Sequence, residues 1–207
     1  MQITVFGASG KVGRLVVAEL LAQGHQVIAF VHNDVDFASD QHLKLIKGDI
    51  HQSSDVSQAI QGSQLVISTL GSWHTKSKDI LSSAMAVLVL AMEQQGIKRI
   101  ITLTGADARA SGDNPNWLAK LLRPLFKIVA GKILLDGENH IKTLEASSLD
   151  YTVVRAPVMR NFGRNTKFRL NHQPTNIWHT VQRQKVAAAI SSLVQDQSFN
   201  RSCPFVH

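Results

Sequence analysis

The sequence predicts an α/β fold, a doubly wound parallel sheet with helices on both faces in a single domain. Three features carry this. Short β-branched and apolar runs alternate with amphipathic helical segments along the whole chain. The first run leads straight into a glycine-rich turn that opens a helix. No repeat, low-complexity tract or linker divides the 207 residues, which suffice for one sizeable core and are too few for two ordinary domains.

The strand runs are residues 3–6, 26–31, 43–46, 64–69, 99–104 and 151–155, each bounded by turn signals. Val12, Leu15, Val16 and Leu20 mark one face of the first helix, and Gly24 stops it. Asp79 is placed to N-cap a long helix ending near Gly96, and a last helix runs over residues 183–194. His140 and Lys142 fall in a helical pattern and are expected on its surface. Organisation weakens over residues 107–131 and 157–180. Insertions after late strands flank the ligand crevice of such folds, so these two segments are expected on the substrate side.

Composition narrows the function classes. The longest apolar run, residues 84–92, falls far short of the ~20 residues that cross a bilayer. No secretory pattern precedes residues 3–6, and the single Cys203 excludes an intrachain disulfide. A cytoplasmic protein with no membrane partner is the expectation. The net charge of +7 is concentrated in Arg155, Arg160, Arg164, Lys167 and Arg169, which no acid interrupts. That cluster reads as a solvated loop or as a wall for an anionic ligand. No nucleic-acid motif accompanies it, so no nucleic-acid partner is expected. The nine histidines are scattered, so no metal site is expected.

The chemistry starts at Gly7-Ala8-Ser9-Gly10-Lys11-Val12-Gly13, between the first strand and first helix. Glycine there permits a tight turn and close approach of a pyrophosphate, whose charge the helix N-terminus stabilises. The loop lacks the Ser or Thr after its Lys that a Walker loop needs, and it lacks the Gly-x-Ser-x-Gly of a nucleophile elbow. The expected ligand is therefore a nicotinamide dinucleotide.

With its strand, this loop resembles that of the extended and atypical short-chain dehydrogenase/reductases of Rossmann fold. The nearest groups are the NmrA-like and the biliverdin reductase B (flavin reductase)-like proteins. Lys47-Gly48-Asp49-Ile50 is similar to their third-strand segment, whose Asp contacts adenine. Leu65-Val66-Ile67-Ser68-Thr69-Leu70-Gly71 resembles their fourth strand and the turn beside the cofactor ribose. Residues 96–104 resemble the fifth strand, and residues 149–157 the sixth. The resemblance implies cofactor contacts from Gly7, Ser9, Gly10, Lys11, Val12, His32, Asp49, Ile50, Thr69, Leu70 and Gly71. It also places Thr104 as a hydroxyl near the nicotinamide.

Cofactor choice is read after the second strand, where His32-Asn33 stands and no acid occurs before Asp34. NADP is favoured, with NAD the alternative. The catalytic Tyr-x-x-x-Lys of most short-chain dehydrogenases is absent: the one tyrosine, Tyr151, opens a strand, and Ile128 stands four residues before Lys132. Hydride transfer to a flavin or quinone needs no strong protein acid. The sequence thus implies an NAD(P)H-dependent reductase of a conjugated small-molecule acceptor, with a non-catalytic NAD(P)-binding redox sensor as the alternative. Trp73, Trp117, Phe126 and Phe162 are candidates for stacking on such an acceptor.

Overall fold

The computed structural model describes residues 1–72, 77–114, 117–161, 166–175 and 179–207, with the backbone alone at 117–120, 122–123 and 125–130. The elements run β1 (Gln2–Phe6), α1 (Gly13–Ala22), β2 (Gln26–Val31), β3 (Leu43–Lys47), α2 (Ser53–Ile60), β4 (Leu65–Ser68), α3 (Ile80–Gln94) and β5 (Arg99–Gly105). Then come α4 (Trp117–Ala146), β6 (Asp150–Ala156), β7 (Val158–Arg160), β8 (Leu170–Asn171), β9 (Thr180–Gln182), α5 (Arg183–Ser192) and β10 (Phe205–Val206).

Among the described residues, eight strands form one sheet in the order β3-β2-β1-β4-β5-β6-β10-β8, and β7 pairs with β9 apart from it. The sheet is parallel through β10, and β8 joins its edge antiparallel. β4 lies beside β1 on the side away from β2, so the order reverses at β1 and the chain opens a crevice between β1 and β4. The expected doubly wound architecture is what the chain adopts.

Strands buried on both faces have side chains alternating between two apolar layers. Ile3, Val5, Val27, Ala29, Ile67 and Val154 pack with Val16 and Leu20 of α1 and Ile190 of α5. Phe6, Phe30, Val66, Ile100 and Val153 pack on the other side with Met85 and Leu88 of α3 and Ile141 and Leu144 of α4. Two helix stops read from the sequence have their physical form. Gly24 and Gly96 sit at φ +78° and +71°, and the next residues close back onto the helix, His25 N–H to Leu20 O and Ile97 N–H to Met92 O.

Four local expectations are corrected. Within the weakly organised segment 107–131, the backbone is helical from Trp117 onward and carries Pro124 inside the helix. Asp79 stands at the N-cap of α3 but makes no side-chain capping bond. Its place is taken by Asp136 of α4, only 2% exposed, whose carboxylate accepts from Leu81 N–H (3.1 Å), Ser82 N–H (2.8 Å) and the hydroxyls of Ser82 and Ser72. Arg155 does not belong to a solvated loop. It is among the largest fully buried side chains, ion-paired to Asp113, bonded from Nε to Cys203 O (2.8 Å) and stacked 3.8 Å from the Phe205 ring centroid. A buried guanidinium needs that many partners, because an unpaired one is too costly to keep.

The fourth correction is His140, which is 1% exposed rather than on the surface, whereas Lys142 is exposed as expected. α4 turns this face toward the core, and burial pulls the imidazole pKa down to about 4 against a weaker opposing pull from the charge of Asp136. Burial likewise pushes the Cys203 thiol up to about 12, which leaves it an inert core group.

Two outcomes follow for stability. His140 has a folded pKa below its unfolded value of 6.5, so between pH 6.5 and 4 the unfolded chain binds a proton that the folded chain refuses. Stability therefore falls as pH drops through that window, by about 3 kcal/mol from this residue alone. Urea titrations at pH 7 and pH 4.5 should show a smaller acid loss for His140→Leu than for the wild type. An equal loss would remove His140 from the acid response. Asp113→Ala strips the Arg155 guanidinium of its counter-charge, and the urea midpoint should fall by the equivalent of about 3 kcal/mol.

Candidate functional site

The turn after β1 is set by backbone geometry. Gly7 takes φ +72°, and a side chain there would also press on the Thr69–Leu70 backbone at about 2.9 Å. Gly13 is more confined: an added Cβ would lie 2.1 Å from Gly7 O, so only glycine lets α1 start this close to β1. Gly10 N–H closes the turn onto Gly7 O at 3.0 Å. Thr69 ties the turn across the crevice to β4. Its N–H donates to Phe6 O at 2.9 Å, and its hydroxyl lies 3.1 Å from both Phe6 O and Gly7 O.

Among the described residues, the N–H groups of Ser9, Lys11 and Val12 have no hydrogen-bond partner, and they gather where α1 presents the positive end of its dipole. Gly10 and Lys11 are exposed beside them, and Val12 is buried behind the loop. Free amides, an open glycine and a helix N-terminus fit a pyrophosphate.

The other expected contacts cluster at the same sheet edge. His32 follows β2 and is exposed. Asp34, the first acid after it, is paired with Lys47 at 2.8 Å, and that hydrogen bond holds its carboxyl below the ordinary range. Asp49 follows β3, half-buried, with its N–H bonded to Asp55 and its carboxylate turning back to His51 N–H. Ile50 is buried against Phe30 and Val56. Leu70 and Gly71 continue from Thr69 at the mouth of the crevice, Leu70 half-buried and Gly71 exposed.

Thr104, next to last in β5, is buried, and α4 approaches it through Gly137, where an added Cβ would lie 2.8 Å from Thr104 Oγ1. Glycine at that position keeps the hydroxyl from being overrun. Tyr151 sits at the opposite end of the sheet. It pairs with Ile100 while Arg155 pairs with Thr104, which puts Tyr151 about 13 Å from that edge. It is 5% exposed in the core beneath α3 and α4, and burial raises its pKa. Of the stacking candidates, Trp73 and Phe162 and the side chains of Trp117 and Phe126 lie outside the described residues.

Sequence reading missed a groove of about 450 Å³ between the start of α3 and α4, lined by Lys78, Asp79, Ser82, Lys132, Leu135, Asp136 and Asn139. Its floor is the capping carboxylate of Asp136, whose hydroxyl partner Ser72 follows Gly71. An acid inside the run Ile133-Leu134-Leu135-Asp136 was the available signal. A second opening of similar volume, lined by Gln2, Gln26, His42, Gln58 and Gln61, lies at the amino-terminal ends of β1–β3, away from the loop. Among the described residues, no cluster of His, Cys, Asp and Glu is arranged for a metal, and no helix is long and apolar enough to cross a membrane.

Known proteins share these features in part. The chain is 28% identical over 188 residues to rat NADH dehydrogenase [ubiquinone] 1 alpha subcomplex subunit 9, mitochondrial, covering 84% of this chain and 44% of that one. It thus spans under half of that relative's length. An uncharacterized chloroplastic protein of Arabidopsis thaliana is 24% identical over 95% of this chain and 73% of its own. Among solved structures, a Veillonella parvula short-chain dehydrogenase/reductase in complex with NADP superposes with TM-score 0.80 at 22% identity, covering 99% of this chain and 93% of that one. An anaerobillin reductase of Escherichia coli O157:H7 superposes with TM-score 0.78 at 23% identity, over 100% and 96% of the two chains. Residues 7–197 match the family described as NAD(P)H-binding, and the chain belongs to that family.

Proposed function

We propose that the protein is an NADPH-preferring reductase that passes hydride to a flat conjugated acceptor such as a flavin or quinone. The observation that carries this reading is the placement of Tyr151. The one tyrosine is buried at the far end of the sheet from a complete dinucleotide loop, so a chemistry without a tyrosine acid fits the site. When bound, the reduced nicotinamide supplies the hydride, and solvent supplies the proton that completes a two-electron reduction. The chain's own residues bind and orient. The N–H groups of Ser9, Lys11 and Val12 hold the pyrophosphate, and Thr69 fixes the loop that presents them. Thr104 Oγ1 orients the reacting end from β5, with Gly137 leaving it room.

The groove between α3 and α4 supports an acceptor on that side. It is lined by the basic residues Lys78 and Lys132 together with the acidic Asp79 and Asp136, and Asp136 accepts from Ser72, which follows Gly71, so the groove offers a polar acceptor both donors and carboxylates. A structural neighbour being an anaerobillin reductase agrees with a conjugated acceptor. The segments 107–131 and 157–180 form the substrate side in this reading. A dinucleotide-binding redox sensor would use the same loop, and turnover separates the two. Purified protein mixed with NADPH and a panel of quinones and flavins should oxidise the nicotinamide. Tight binding without oxidation by any acceptor would favour the sensor.

Two variants test the parts. Gly10→Val puts a branched side chain into the space for the pyrophosphate, and an added Cβ already lies 3.1 Å from Gly7 O. Calorimetric titration should show dinucleotide affinity falling more than tenfold, about 1.4 kcal/mol, and unchanged affinity would sink the binding mode. Tyr151→Phe should leave turnover within a few-fold of wild type, whereas loss of a true general acid costs roughly 100-fold or more. Thr104→Val should reduce turnover by roughly tenfold through lost orientation. Loss of activity in folded Tyr151→Phe would reverse the assignment of Tyr151.

A further inference from the structure

Arg14 follows Gly13 in the first turn of α1 and joins two segments that are far apart in sequence. Its Nε donates to Ser9 O at 3.2 Å, inside the glycine loop, and its Nη1 donates to Asp36 O at 2.7 Å. The guanidinium carbon lies 4.9 Å from the Phe37 ring centroid, and Phe37 packs against the core layer of α1. Asp36 and Phe37 belong to residues 32–42, the connection from β2 to β3, which has no strand or helix of its own. That connection starts at His32, where the adenosine ribose of a dinucleotide is read.

The charge balance at this spot is unusual. Both of Arg14's hydrogen-bond partners are neutral backbone carbonyls, and among the described residues it forms no ion pair. Its Nη2 has no protein partner among those residues, and the side chain is exposed. The nearby acid Asp34 is already matched to Lys47. Arg14 is therefore a permanent cation, held in place on three sides, with donors left over and, among the described residues, no carboxylate paired with it.

We propose that Arg14 is the residue that distinguishes NADPH from NADH, taking the 2′-phosphate on its unused guanidinium donors while its other donors hold the loop and the β2–β3 connection in register. His32 then has an assisting role. This assignment rests on the cofactor reading above, and it names the residue on which the preference depends. A planar, preorganised guanidinium suits a phosphate dianion, and holding it beforehand lowers the ordering cost on binding.

The test is the ratio of NADPH to NADH affinity, measured by calorimetry at pH 7 and pH 9 for wild type, Arg14→Gln, Arg14→Lys and His32→Ala. Wild type should favour NADPH at both pH values, because an arginine guanidinium keeps its charge across that range. Arg14→Gln should weaken NADPH tenfold or more and change NADH less than threefold. Arg14→Lys should keep part of the preference, and His32→Ala should keep most of it. The fragment pair 2′-AMP and 5′-AMP should show the same selectivity and the same loss. Equal weakening of both dinucleotides in folded Arg14→Gln would make Arg14 a loop staple only and overturn the proposal. So would an unchanged ratio, or a wild-type preference that fades by pH 9. Wild type that binds neither dinucleotide overturns the cofactor reading and this assignment together.

Discussion

The structure depends on the closure of the β1 turn against β4. Two carbonyls, Phe6 O and Gly7 O, lie at the point where strand order reverses, and the amide and hydroxyl of Thr69 satisfy them from across the crevice. With those carbonyls engaged, the turn can stay tight enough for α1 to begin at Gly13 and for its N-terminus to face the crevice. Each part requires the others. A side chain at Gly7 would strike the Thr69–Leu70 backbone, and one at Gly13 would strike Gly7 O, so the loop and the neighbouring strand hold a single arrangement. The free amides that suit a pyrophosphate are a consequence of that closure.

The far side of the site is fixed by buried charge rather than by backbone closure. Asp136 reaches from α4 to cap α3, and Arg155 at the end of β6 gathers Asp113, Cys203 O and Ala108 O. Both are costly to bury and are kept with several partners each, which is how such groups become tolerable in an interior. Together they set where α3, α4 and the segment after β5 lie around the sheet edge. Asp136 thereby forms part of the groove between α3 and α4, and α4 passes over the hydroxyl of Thr104 at Gly137.

This division fits a protein whose cofactor carries the reaction. The end proposed for the adenosine and pyrophosphate offers a tightly closed turn and, among the described residues, unpaired loop N–H groups. The side proposed for the acceptor offers the buried hydroxyl of Thr104 and a groove lined by both basic and acidic side chains. In the reductase reading such a site would supply orientation and leave the redox step to the nicotinamide. A neutral core histidine at position 140 and an unreactive Cys203 add no titrating group near neutral pH to that balance.

Much of the fold was legible in local pattern. The alternation of apolar runs with helical segments, the loop from Gly7 to Gly13 and the stops at Gly24 and Gly96 are set by residues within a few positions of one another. Short-range sterics and periodicity decide such features, so the sequence by itself determined the layered sheet, the dinucleotide loop and the absence of a Tyr-x-x-x-Lys pair. The tertiary structure alone decided where the isolated polar residues went. Asp136 caps a helix that begins 56 positions earlier, Arg155 pairs with Asp113, 42 positions before it, and Arg14 reaches the Asp36 backbone carbonyl, 22 positions after it. A charged residue read alone is as compatible with solvent as with a buried partner. Which one it takes is settled by desolvation and by the groups that packing brings within reach, and those come from distant parts of the chain. For the same reason the burial of His140 does not follow from its place in a helical pattern: helical periodicity shows that a face exists, and only the neighbouring helix and sheet determine whether that face is covered.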